Sequence, residues 1–140
     1  MRDDGERKLE ILMIGPLPPP IGGARALFQH IVDELGNRPS VSLSVVPTWP
    51  AGKGILRKLF PALNVILCTL LKARNTSVIA FFGSNHGIIL WSPFLHLIAH
   101  LFGKPWILRA FGGGFDLAYA SLADWMKTWL RKTSLSADFV

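Results

Sequence analysis

The sequence predicts an α/β fold, a parallel sheet with helices on both faces, and three observations carry that prediction. Short apolar runs of strand length alternate with longer stretches of helical periodicity. The first run, LEILMI, is apolar at every position except Glu10, close to the pattern of a strand covered on both faces. Glycine clusters fall where these runs end: one in GPLPPPIGGAR, residues 15–25, a second in GSNHG, residues 83–87, and a third in GGGFD, residues 112–116. At 140 residues the chain has the size of one domain, large enough to bury a core.

Residues 1–8 form a charged leader without the apolar centre of a signal peptide, which points to a cytoplasmic location. Residues 9–14 are the first strand. From Ala24 the period changes, with Leu27, Phe28, Ile31, Val32 and Leu35 at helical spacing and Gly36-Asn37 as a stop. Residues 41–46 (VSLSVV) alternate like a strand, and Gly52 and Gly54 mark a loop. A helix is predicted over 61–73, with Leu63, Ile66, Leu67, Leu70 and Leu71 forming one apolar face. The third strand is VIAFF, residues 78–82, followed by the GSNHG loop and a third helix over 93–102. WILRAF, residues 106–111, is the fourth strand and 117–132 a fourth helix, with Asp116 as its N-cap. ADFV at the end reads as a fifth strand beginning. Residues 75–103 carry no Asp, Glu, Lys or Arg, yet Gly83, Gly87 and Pro93 divide them into pieces shorter than a spanning helix.

With 15 Lys and Arg against 9 Asp and Glu, the net charge of +6 favours anionic partners. No aromatic-basic signature of a nucleic-acid reader is present, so nucleic acid is not expected as a partner. The single Cys68 excludes a disulfide framework and reads as a small core residue. His96 and His100 have metal-ligand spacing, but Leu97 stands where H-E-x-x-H needs glutamate; two partly buried core histidines are expected, and no metal. No Ser-His-Asp set can be assembled.

In a parallel sheet, ligands bind outside the carboxyl ends of the strands, where all three glycine clusters fall. The first cluster matches neither the dinucleotide fingerprint nor a P-loop. Its prolines stiffen a long loop, and Gly22 and Gly23 let backbone N–H groups approach a phosphate or sugar hydroxyl at the positive end of a helix. A tight turn without a ligand is the plainer alternative. Ser84, Asn85 and His86 could hold acceptor hydroxyls. Gly112, Gly113 and Gly114 serve either a sharp turn or a ligand. Arg109, inside the fourth strand, either pairs within the fold or points into the cleft. The sequence around Arg57, Lys58, Leu59 and Phe60, and Trp125 and Trp129 beside Lys127, Arg131 and Lys132, suit either ordinary amphipathic helices or an anionic membrane surface.

The stretches ILMIGPLPPPIGGAR and KPWILRAFGGGFD together resemble the N-terminal half of a retaining glycosyltransferase of the GT-B fold, more narrowly family four (the group 1 type). The resemblance extends over nearly the whole chain and implies a Rossmann-like N-terminal domain over residues 9–140, truncated at its C-terminal end. It implies an enzyme moving a sugar from a nucleotide-sugar to a lipid-linked or polysaccharide acceptor, with no further cofactor. By the same resemblance Gly22 and Gly23 lie against the donor phosphates or transferred sugar, and Phe111 occupies the place of a sugar-contacting histidine. The family's basic pair and acidic E-x7-E element belong to its C-terminal domain. No catalytic residue is therefore expected on this chain, and no activity from it alone. The alternative is a non-catalytic module that recruits a separate donor-binding subunit to the membrane.

Overall fold

The computed structural model describes residues 7–17, 23–48, 55–111 and 114–136, without the side chains of 55–59, 61, 62, 85–87, 90 and 134. Strands β1 (Leu9–Gly15), β2 (Val41–Pro47), β3 (Val78–Gly83) and β4 (Trp106–Ala110) form one parallel sheet in the order β2-β1-β3-β4. Helix α1 (Gly23–Gly36) links β1 to β2, α2 (Ile55–Ala73) links β2 to β3, and α3 (Asn85–Leu101) links β3 to β4. Two shorter helices, α4 (Phe115–Ala120) and α5 (Asp124–Lys132), precede a 3-10 turn at Ser134–Ser136. The architecture is Rossmann-like. The expected fifth strand and the loop containing Gly52 and Gly54 lie outside the described residues.

Two apolar clusters sandwich the sheet, because successive strand residues face opposite sides. Leu12, Ile14, Ile79, Phe81, Trp106 and Leu108 meet Val65 and Ala73 of α2 and Leu95, Ile98 and Ala99 of α3. On the other side, Met13, Ala80 and Phe82 meet Phe28, with Ile31, Val32 and Leu35 of α1 packed around them. The central strands β1 and β3 are thus covered on both faces from Leu12 and Ile79 onward, where each is apolar without a break. Trp106 stacks on Phe81, with ring centroids 6.3 Å apart, and meets the edge of His96 at 5.9 Å.

Four helix expectations need correction. The α2 helix begins at Ile55, and its core face is Val65, Thr69 and Ala73, whereas Leu63, Leu67, Leu70 and Leu71 are exposed. Both stripes have helical spacing; the one with smaller residues lies inward, and the Thr69 hydroxyl donates to the Val65 carbonyl at 2.7 Å. Helix α3 begins at Asn85, so the expected loop shrinks to Ser84, and Pro93 lies within the helix. A proline interrupts one backbone bond of a helix without ending it when packing compensates. Pro93 is fully buried, and one residue earlier the buried Ser92 hydroxyl donates to the Ile88 carbonyl. The expected fourth helix is two, because the Ser121 hydroxyl and N–H both turn back into α4, at 2.7 Å from the Ala118 carbonyl and 3.1 Å from that of Leu117, and Ala123 starts a new helix. Finally, His96 is partly buried but His100 is exposed, the two rings stacking with centroids 6.3 Å apart.

Candidate functional site

The connection after β1 runs to β2 on one side, and the connection after β2 returns past β1 to β3. The strand order therefore reverses between β1 and β3, and the crevice of a doubly wound sheet opens outside the carboxyl ends of such a pair. Here those ends are Gly15 and Gly83. The chain leaving each outer strand is tied to them: the Thr48 N–H donates to the Gly15 carbonyl at 2.8 Å, and the Phe111 N–H to the Gly83 carbonyl at 2.9 Å.

Both strand-end glycines are demanded by aromatic packing. A Cβ on Gly15 would sit 2.5 Å from Cε2 of the fully buried Phe28, and one on Gly83 would sit 2.9 Å from the Phe81 ring. Phe28 in turn packs on Phe82 at 5.2 Å between centroids, and Phe82 stacks on Phe111 at 5.7 Å. A row of three rings therefore underlies the carboxyl edge on the α1 side. The sequence marks Gly15 and Gly83 only as strand ends; for Gly83 the phenylalanine two residues earlier was an available signal, and for Gly15 there was none.

Gly23 differs from these two. It opens α1, is exposed, and among the described residues nothing lies within 4 Å of where its side chain would be. Among the described residues nothing blocks the first turn of α1 at Gly23, and the first-turn N–H groups of a helix have no intrahelical acceptor. Ser84 is exposed at the N-cap of α3 with extended backbone, and its hydroxyl makes no capping bond. Asn85 and His86 form the first turn of that helix, which brings them to the same edge as Ser84; their side chains are outside the description.

The other predicted residues divide. Phe111 is only 8% exposed and is occupied by its stack on Phe82. Arg109 is exposed on β4, one residue before its carboxyl end and paired in register with Phe82, on the face shared by Ile107 and Phe111. Asp116 is exposed in the first turn of α4, but the N-cap is Gly114, whose φ of +86° is a conformation that other residues adopt only with strain. Asp116 thus lends its charge to the positive end of α4. Gly22, Gly112 and Gly113 lie outside the described residues. Among the described residues no cluster of three His, Cys, Asp or Glu could hold a metal ion. Cys68 is free and half-buried, with its Sγ 3.7 Å from Oδ1 of Asn64.

Comparison with protein-family models, with curated proteins and with solved structures returns no match to this chain.

Proposed function

We propose that this chain is the acceptor-side half of a retaining glycosyltransferase of GT-B architecture, binding a lipid-linked or polysaccharide sugar at the carboxyl edge of its sheet. The observation that carries the reading is the open, side-chain-free start of α1 at Gly23, lying with the uncapped Ser84 hydroxyl at the edge where the strand order reverses. Sugar recognition needs short donors and acceptors on a rigid frame, and the packed glycines and aromatic row beneath this edge supply the rigidity. The GPLPPPIGGAR and FGGGFD motifs add the family resemblance. The donor nucleotide-sugar would be held by a C-terminal half whose basic pair and E-x7-E element have no counterpart in residues 1–140. Residues 1–140 alone therefore bind an acceptor but transfer no sugar.

Calorimetric titration of the chain with short glycans tests this reading, with Ser84→Ala and Gly23→Ala as variants. Glycan binding that both variants weaken by about fivefold or more, a cost of about 1 kcal/mol, is expected. A chain that binds no glycan, or binds equally well with both positions changed, contradicts it.

A further inference from the structure

We infer that the face formed by α2, α3 and α5 docks on the surface of a bilayer containing anionic lipids. The inference is independent of the sugar-binding edge.

The core contacts of α2 leave a second stripe uncovered. Phe60 is 80% exposed and Leu71 70%, and Leu63 and Leu67 lie between them at helical spacing. The eleven helical steps from Phe60 to Leu71 make a ridge about 16 Å long. The neighbouring α3, which packs against both α2 and α5, repeats the arrangement: Leu95, Ile98 and Ala99 face the sheet, while Leu97 and Leu101 are exposed. The α5 helix extends it, because Phe94 meets Trp129 edge-on at 5.8 Å and Trp125 is 67% exposed. Isolated apolar residues on a surface are ordinary, but large side chains exposed together on three adjoining helices mark an interaction surface.

Charge selects the occupant. Between Glu34 and Asp116 the sequence contains no Asp or Glu, although Lys or Arg occurs at 38, 53, 57, 58, 72, 74, 104 and 109. On the face itself, Lys72 and Arg74 are exposed at the end of α2 and Arg131 and Lys132 at the end of α5, against one exposed acid, Asp124, at the start of α5. The net positive charge at the ends of these helices favours an anionic partner over a second copy of the same chain. An anionic bilayer accepts the apolar side chains among its acyl chains and the basic ends among its headgroups, with tryptophans at the boundary. No helix among the described residues is long and apolar enough to cross a membrane, so the face would lie on the bilayer.

The test is co-sedimentation of the full chain with phosphatidylcholine vesicles, with and without about 30 mol% phosphatidylglycerol. Binding to the anionic vesicles is expected to be at least about tenfold tighter than to the neutral ones. Leu67→Glu combined with Leu71→Glu, both exposed, should weaken it by about tenfold or more while the far-UV circular dichroism is unchanged. Leu27→Glu, also exposed but on α1 at the opposite face, should leave it intact. Lys72→Glu combined with Arg131→Glu should reduce the binding and its salt dependence without touching an apolar residue. Vesicle binding that survives both double variants, or that Leu27→Glu abolishes equally, overturns the inference. So does a lipid-free dimer that Leu67→Glu and Leu71→Glu dissociate, because the face would then belong to a second copy.

Discussion

Replacing Gly15 with alanine adds one methyl group, and the structure places it against a ring that has nowhere to go. The new Cβ would lie 2.5, 2.7 and 2.8 Å from Cε2, Cζ and Cδ2 of Phe28. Carbon atoms pack without strain at about 3.5–4.0 Å, so three atoms along one ring edge are each about 1 Å too close. Phe28 is fully buried and held from the other side by Phe82, so relief requires moving α1 or β1. Overpacking of this kind costs about 1–3 kcal/mol, and the number of overlapping atoms puts Gly15→Ala near the upper end. For a domain of this size, about 3 kcal/mol lowers the melting temperature by roughly 10 °C. Urea denaturation followed by circular dichroism measures the change. The decisive arm is the pair with Phe28→Leu, which trims the ring: the double variant should be more stable than the sum of the single effects by at least about 1 kcal/mol. A Gly15→Ala protein within about 0.5 kcal/mol of the parent, or strict additivity with Phe28→Leu, refutes the packing role and returns Gly15 to the ligand loop.

Four further outcomes are expected. Gly114→Ala should cost about 1 kcal/mol through its positive φ, because none of the described residues crowds the added methyl; equilibrium unfolding reads this directly. Ser84→Ala should change stability by less than about 0.5 kcal/mol, against about 1 kcal/mol for an ordinary N-cap, because its hydroxyl makes no capping bond. Phe111→Ala should destabilise by about 3 kcal/mol, and Phe111→His by about 1–2 kcal/mol through a polar ring set against Phe82, each measured by its denaturation midpoint. Incubation of the purified chain with radiolabelled nucleotide-sugars and glycan acceptors should yield no transfer product.

The strands were legible because β1 from Leu12 and β3 from Ile79 are buried on both faces, and only apolar residues and the closing glycines occur there. Their predicted ends moved by a residue at most. The helices were less so, for reasons of packing. On α2, the Val65-Thr69-Ala73 stripe and the leucine stripe share one period, and side-chain size, not hydropathy, decided which approached the sheet. On α3, Gly87 and Pro93 read as breaks, yet the burial of Pro93 against the core outweighs one missing backbone bond. At the site, the strand-end location of Ser84 and Gly23 followed from the alternation of strand and helix. The engagement of Phe111 with Phe82 did not, since it depends on β3 and β4 lying side by side with Phe82 and Phe111 on the α1 face. The role of Gly15 was equally hidden, because it answers to the Phe28 ring, reached only through the tertiary fold, whereas Gly83 answers to Phe81 two residues earlier on its own strand.

The most direct measurement is a nitrogen-proton correlation spectrum of the labelled chain during titration with short glycans and uridine- or guanosine-diphosphate hexoses. The expected shifts are at the amides of Gly23, Ser84 and Gly114, at the carboxyl ends of the strands, with Ser40, Ser77 and Lys104 at the opposite edge unmoved. Shifts confined to that opposite edge, or no shifts with any sugar, would contradict an acceptor site at the carboxyl edge of the sheet.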